Sequence, residues 1–369
     1  MSRVLPRVHR LVVKIGSAVL APDGQLERAN VRRLADELAR VHATGVQITI
    51  VSSGAVASGF RALGLESPPK AIAQKQAAAA VGQPRLMAAW QEAFARHDIA
   101  TAQALYTGED LQSRHRFLNT RRTLAELLDR RVIPIVNEND TTSFDEIKLG
   151  DNDRLSALTA DLVAADLLLI LSTAHGLYRA GTRSEVIPSV SARELIEAER
   201  HIRPEKSATG VGGMTTKLSA AGYASSWGIP TIVAGGAIDD VVSRVLAGEV
   251  VGTLFEARPR RTAAKKRWLH AAARAAGVII VDDGAARAIT QRNASLLPGG
   301  IVKVEGDFDA GAPVEVRDRA GTTLARGVTS YSSADLTLIR GKRSSQIQGI
   351  LGSCYSEEAI HRNDLMMLG

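Results

Sequence analysis

Cysteine is almost absent from this 369-residue chain. Cys354 is the only one, so no intramolecular disulfide can form and no thiolate cluster can hold a metal. Aromatic residues are scarce at 4%, so the core must be built from Ala, Val, Leu and Ile, within an apolar content of 45%. Long apolar runs are missing as well. The longest, Leu162 to Leu171, is interrupted by Asp166 and falls well short of the ~20 residues a spanning helix needs, so no membrane crossing is expected. Residues 1–9 carry neither the apolar stretch nor the small-residue cleavage site of a secretory leader, and the expected compartment is the cytoplasm.

Basic charge is in excess, at +7, which raises the possibility of a nucleic-acid partner. Its distribution argues otherwise. Residues 1–257 hold 29 Lys+Arg against 28 Asp+Glu, and residues 268–369 hold 11 of each. The remaining excess lies in Arg258-Pro-Arg-Arg-Thr-Ala-Ala-Lys-Lys-Arg267, with six basic residues and no acid. That segment, 258–267, reads as a solvated connector between a large domain, 1–257, and a smaller one, 268–369.

The large domain alternates short β-branched runs with longer helical patterns, the signature of βα units around a largely parallel sheet. Strands are predicted at 11–15, 47–51, 99–104, 132–136, 167–171 and 230–234, each apolar on both faces as a covered sheet requires. Helical spacing of apolar residues predicts helices at 28–42, 70–97, 115–130, 153–164 and 214–226. Beyond the connector the pattern changes: short helices at 263–276 and 284–292, then half-buried strands at 301–304, 313–317 and 323–329 separated by turn residues. The expected architecture is a three-layer α/β/α domain followed by a small, mostly β one.

Four stretches carry candidate chemistry. In Leu11-Val-Val-Lys-Ile-Gly-Ser17 a lysine sits inside an apolar strand, where an unpaired ammonium is costly. Lys14 therefore calls for an anionic partner at the strand's carboxyl end, where open α/β sheets place ligands. In Gly210-Val-Gly-Gly-Met-Thr-Thr-Lys217 a glycine turn leads into a helix whose first amides suit phosphate. It is not a Walker A loop, because Thr216 precedes Lys217 and Leu218 follows it. Two acidic and amidic clusters, Asn137-Glu-Asn-Asp140 after a strand and Gly150-Asp-Asn-Asp153 before a helix, fall where loops line a cleft, although Asp153 alone would serve as a helix N-cap. Val51-Ser-Ser-Gly-Ala-Val-Ala57 ends a further strand in hydroxyls and a glycine.

Together these features describe phosphoryl transfer between two anions. Two unit charges ~4 Å apart repel by roughly 4 kcal/mol at an effective dielectric of 20, and lysines from separate parts of the chain offset that repulsion.

The same motifs resemble the amino-acid kinase family: Val12-Val-Lys-Ile-Gly-Ser17, Val51-Ser-Ser-Gly-Ala55, Asn137-Glu-Asn-Asp140, Gly150-Asp-Asn-Asp153 and Gly212-Gly-Met-Thr-Thr-Lys217 stand in the family's order. Ser295-Leu-Leu-Pro-Gly-Gly-Ile301 and Val304-Glu-Gly-Asp-Phe308 look like a PUA domain. The resemblance implies ATP-dependent phosphorylation of the γ-carboxylate of L-glutamate, the first step of proline synthesis, with Mg²⁺ arriving on the nucleotide and no dedicated protein metal site. Carried over by position, Lys14 and Lys217 hold the ATP phosphates and stabilise the transition state, and Asp153 orients them. Ser53, Asp140 and Asn152 bind glutamate, with Asp151 supporting the pocket. Ser172, Thr173, Val211, Gly212, Gly213, Met214, Thr215 and Thr216 contact the nucleotide, Thr173 standing where an aspartate is often found. Homo-oligomerisation, feedback by proline and coupling to glutamyl-phosphate reductase are further implications.

Two rivals follow from the same residues. Another carboxylate kinase of this fold, an aspartokinase or acetylglutamate kinase, would use similar lysines, but an N-acetylated substrate has no ammonium for Asp140. RNA binding by residues 268–369 is the other, and a domain of net charge zero is a poor electrostatic match to a phosphate backbone.

Overall fold

The computed structural model describes residues 3–112, 114–142, 152–179, 185–195, 213–258, 275–292, 294–352 and 356–367. The chain divides into two compact units, Met1–Arg260 and Arg261–Gly369. Most of the connector, the greater part of the expected helix 263–276, and Cys354 lie outside the described residues.

The first unit is built on an eight-stranded sheet. Its strands are β1 (Arg10–Ile15), β2 (Gln47–Ser52), β3 (Thr101–Tyr106), β4 (Ile133–Glu138), β5 (Leu167–Ser172), β6 (Ser189–Val190), β7 (Thr231–Gly235) and β8 (Thr253–Phe255), in the order β3-β4-β2-β1-β5-β7-β8-β6. All pairings are parallel except β7 with β8. The sequence reading missed β6 and β8, which are too short to show a period of their own. The strand order reverses between β1 and β5, since β2 lies on one side of β1 and β5 on the other. In open α/β sheets such a switch point opens a crevice at the carboxyl ends of the strands.

Side-chain parity along β1 decides what faces what. Leu11, Val13 and Ile15 join a core layer with Leu34 and Leu38 of the helix Arg28–Ala43 and Leu86, Trp90 and Phe94 of the helix Ile72–Ala95. Val12 points to the opposite layer, with Leu124 and Leu128 of the helix Arg114–Asp129, Leu155 of the helix Asn152–Leu162 and Ala220, Ala221 and Ala224 of the helix Met214–Ser226. These two layers enclose the sheet, giving α/β/α. Lys14 shares the parity of Val12, so it faces the helices that begin at Asn152 and Met214.

One close packing shapes the substrate side. A short helix, Ala55–Gly59, follows β2 and lies backbone to backbone on the helix Ile72–Ala95. A Cβ added at Gly59 would fall 1.9 Å from the carbonyl oxygen of Ala78, and one at Gly82 1.8 Å from that of Ala55. Only paired glycines permit this approach.

The second unit carries a five-stranded sheet ordered β10-β9-β11-β12-β13, formed by β9 (Gly277–Val281), β10 (Ile301–Glu305), β11 (Pro313–Arg317), β12 (Thr323–Val328) and β13 (Leu365–Met367). Its pairings are antiparallel apart from β9 with β11. Strands β9 and β13 escaped the sequence reading: β9 follows directly on the expected helix 263–276, and β13 spans only Leu365–Met367. Period-2 alternation is clear in β11, where Val314 and Val316 are buried with Ile279, Ile301 and Leu336. Glu315 takes the other face, pairing with Arg317 at 2.7 Å and Arg326 at 2.8 Å.

Candidate active site

Three residues distant in sequence meet at the switch point. The Lys14 Nζ lies 2.6 Å from Asp153 Oδ1, and Lys217 Nζ lies 3.1 Å from Asp153 Oδ2. Thr216 Oγ1 donates to the same Oδ2 at 2.7 Å. Burial is nearly complete: Asp153 is 0% exposed and each lysine 5%. Burial by itself pushes the Asp153 carboxyl up, but the two ammonium groups and the hydrogen bonds from Lys14 and Thr216 outweigh it and hold the carboxyl below the usual carboxylate range. A carboxylate clamped between two cations leaves one net positive charge at the carboxyl ends of the strands. Its helix starts there, and so does the helix of Lys217, whose N-cap is Gly213 in extended conformation. Two helix N-termini and a surplus cation favour a polyphosphate.

Next to this charged pole lies an uncharged one. Asn152, one residue before Asp153, directs its Nδ2 toward Ser52 O at 3.1 Å, Ser53 Oγ at 2.9 Å and Asn137 Oδ1 at 2.9 Å. Surrounding acceptors thus settle the orientation of its amide. Asn137 Nδ2 donates in turn to Gln83 Oε1 at 2.8 Å, so three amides form a directional chain from Asn152 through Asn137 to Gln83. Among the described residues Asn152 Oδ1 is buried without a hydrogen-bond partner, and a buried acceptor of this kind is open to a donor from a ligand.

A cleft of about 460 Å³ opens beside this chain, lined by Ser53, Lys75, Asn137, Asp140 and Asn152 among others. Burial, reinforced by the negative charge of Glu138, pushes the Asp140 carboxyl up to about 7. A cationic group brought alongside would restore its ionised form.

Of the residues expected from sequence, Lys14, Thr216 and Lys217 all contact Asp153, and Ser53, Asp140 and Asn152 line one cleft. Ser172 ends β5, its carbonyl accepting from Gly236 N at 2.8 Å, and Thr173 after it is exposed. Gly213, Met214 and Thr215 are half-buried at the start of the helix of Lys217. Asp151, Val211 and Gly212 lie outside the described residues. Gln83 and Lys75 were not singled out, because they fall within the helical run 70–97. Gln83 offered a signal: it sits on the apolar stripe of Ala79, Leu86 and Trp90, where a polar side chain needs a buried partner. Among the described residues no group of three or more His, Cys, Asp or Glu is placed to hold a metal ion, and no helix is long and apolar enough to cross a membrane.

Residues 9–235 match the amino acid kinase family, and residues 277–351 match the PUA domain. A protein of Geobacter sulfurreducens named glutamate 5-kinase is 46% identical over 100% of both chains. One of Geobacter metallireducens with the same name is 46% identical over 99% of each, and one of Thermus thermophilus is 44% identical over 97% of each. With a family match across more than half its length and relatives similar from end to end, this chain belongs to the amino acid kinase family.

Proposed function

We propose that this protein transfers the γ-phosphoryl group of ATP to the γ-carboxylate of L-glutamate, giving L-glutamyl 5-phosphate and ADP, the first step of proline synthesis. The observation that carries the reading is the buried Lys14–Asp153–Lys217 cluster beside a cleft with a carboxyl group, a hydroxyl and an unsatisfied amide oxygen. Full-length similarity to proteins named glutamate 5-kinase supports the choice of substrate.

The chemistry suits the residues. A carboxylate is already deprotonated at neutral pH, so no general base is needed. One carboxylate oxygen forms a bond to the γ-phosphorus while the bond from phosphorus to the β-phosphate oxygen breaks, and the electron pair leaves with ADP. What the protein must supply is position and positive charge. Lys14 and Lys217 would reach the phosphates from different oxygens of Asp153, which holds both ammonium groups in place without neutralising the pair. The amides of Gly213 to Thr215, with Ser172, Thr173, Val211 and Gly212, complete the nucleotide contacts. Mg²⁺, carried in on the nucleotide, offsets phosphate charge. At the other pole Asp140 and Asn152 Oδ1 accept the α-ammonium group, and Ser53 donates to a carboxylate.

An acyl phosphate hydrolyses readily, so the reading includes coupling to a glutamyl-phosphate reductase, in a cytoplasmic homo-oligomer. Supplying ATP, Mg²⁺ and hydroxylamine with glutamate, aspartate or N-acetylglutamate tests the substrate directly. Hydroxamate from glutamate alone is expected. Hydroxamate from aspartate or N-acetylglutamate but not glutamate would replace this assignment with another carboxylate kinase.

A further inference from the structure

We propose that Lys75 binds the α-carboxylate of the amino-acid substrate and so makes the site selective for a free amino acid over a simple carboxylic acid or an α-amide. The inference rests on the glutamate reading above and extends it to a residue that carries no role so far.

A free α-amino acid presents two opposite charges at one carbon, and the site must meet both when it takes them out of water. Asp140 answers the ammonium. The carboxylate needs a cation, and Lys75 is the only basic residue among the described residues lining the cleft. Neither Lys14 nor Lys217 lines it, and both are engaged with Asp153. Lys75 is half-buried and has no ion pair or side-chain hydrogen bond among the described residues. A lysine on the wall of a largely apolar cleft, with no partner among the described residues, is in place for an anionic ligand.

Its position is built rather than incidental. Lys75 sits in the first turn of the helix Ile72–Ala95, the same helix that supplies Gln83 to the amide chain. The glycine contacts at Gly59 and Gly82 lock that helix onto Ala55–Gly59, whose Ala55, Val56 and Ala57 also line the cleft. The uncapped N-terminus of this 24-residue helix adds a partial positive charge on the side where Lys75 stands. Lys14 and Lys217 thus serve the phosphoryl pole, and Lys75 serves the amino-acid pole.

The test compares L-glutamate with L-isoglutamine, which keeps the α-ammonium and the γ-carboxylate but carries a neutral α-amide, in the hydroxamate assay with the full chain. Losing one charge-assisted hydrogen bond corresponds to about 10- to 100-fold in affinity. Lys75→Met is therefore expected to raise KM for glutamate about 10- to 100-fold, with a smaller change in kcat and in KM for ATP. Its kcat/KM for isoglutamine should change little, so that the preference for glutamate collapses, and Lys75→Arg should restore part of it. Equal losses on both substrates, or an unaltered KM for glutamate, would overturn the role of Lys75 while leaving the substrate assignment intact. A wild-type enzyme inactive on glutamate would remove that assignment, and this inference with it. Circular dichroism checks folding, and Lys75→Gln replaces the Met variant if that one fails to fold.

Discussion

Asp153 and Asn152 are neighbours in the chain, yet they organise opposite kinds of site. Asp153 is saturated: two lysines and a threonine hydroxyl converge on its carboxylate, and its charge is stabilised despite complete burial. Asn152 heads a chain of neutral amides and leaves one buried oxygen unmatched. Under the proposed reaction the two poles would have different tasks. Charge that must stabilise a transferring phosphoryl group is best arranged in advance, because reorganising it during the reaction would raise the barrier. Groups that select a substrate can instead remain unsatisfied until it arrives, since an unmatched polar atom discriminates against a ligand lacking its complement.

Breaking the charged pole should have the largest effect. Lys217→Ala is expected to lower turnover by about 10³-fold, the scale of losing a preorganised charge at a transition state, in a steady-state assay on a variant that still folds. Asp153→Ala acts on stability as well, since it leaves two buried ammonium groups facing each other. A loss of about 3–5 kcal/mol is expected from the shift of the urea unfolding midpoint, the cost typical of orphaning a buried charge.

Changes at the amide pole should be smaller and confined to glutamate. Asn152→Ala removes the unmatched oxygen, and a rise of about 10-fold in KM for glutamate, with KM for ATP little altered, is the expected result in initial-rate measurements.

The smallest effect, and the sharpest contrast, is in pH dependence. Asp140, raised to about 7, must ionise to meet an ammonium, so kcat/KM for glutamate should climb as pH rises through about 7. That inflection should vanish in Asp140→Asn. In stability the two carboxyls act with opposite sign. Asp153 is depressed in the folded state, so its contribution is present above the unfolded value near ~3.9 and is lost as pH falls through the folded one. Asp140 is raised, so its burial counts increasingly against the fold as pH climbs from ~3.9 toward 7. Unfolding titrations of Asp153→Asn and Asp140→Asn should separate the two slopes.

Much of this was legible in the chain, for reasons that differ from residue to residue. Lys14 stood out because an ammonium inside a buried strand demands a counter-charge, and Asp153 supplies it. The helix of Lys217 was readable from a glycine turn and the apolar spacing behind it, and its observed range, Met214–Ser226, matches the expected one. Gln83 was not legible, because in a helical run a buried glutamine looks like any other member until its partner Asn137 is placed beside it. Strand β9 was missed for a related reason: an expected helix ran into it, and nothing local marked where one ended and the other began.

Local periods, turn chemistry and the parity that sends Lys14 to the face of Val12 are written in the chain, since each depends on neighbours within a few residues. Which residues meet is a property of the folded molecule. The reversal of strand order at β1 and β5, and the glycine-to-glycine approach of two helices, set Lys75 on the wall of a cleft with Asp140 while Lys14 and Lys217 close on Asp153. Lys217 and Asp153 stand 64 residues apart, a separation that no local pattern can encode.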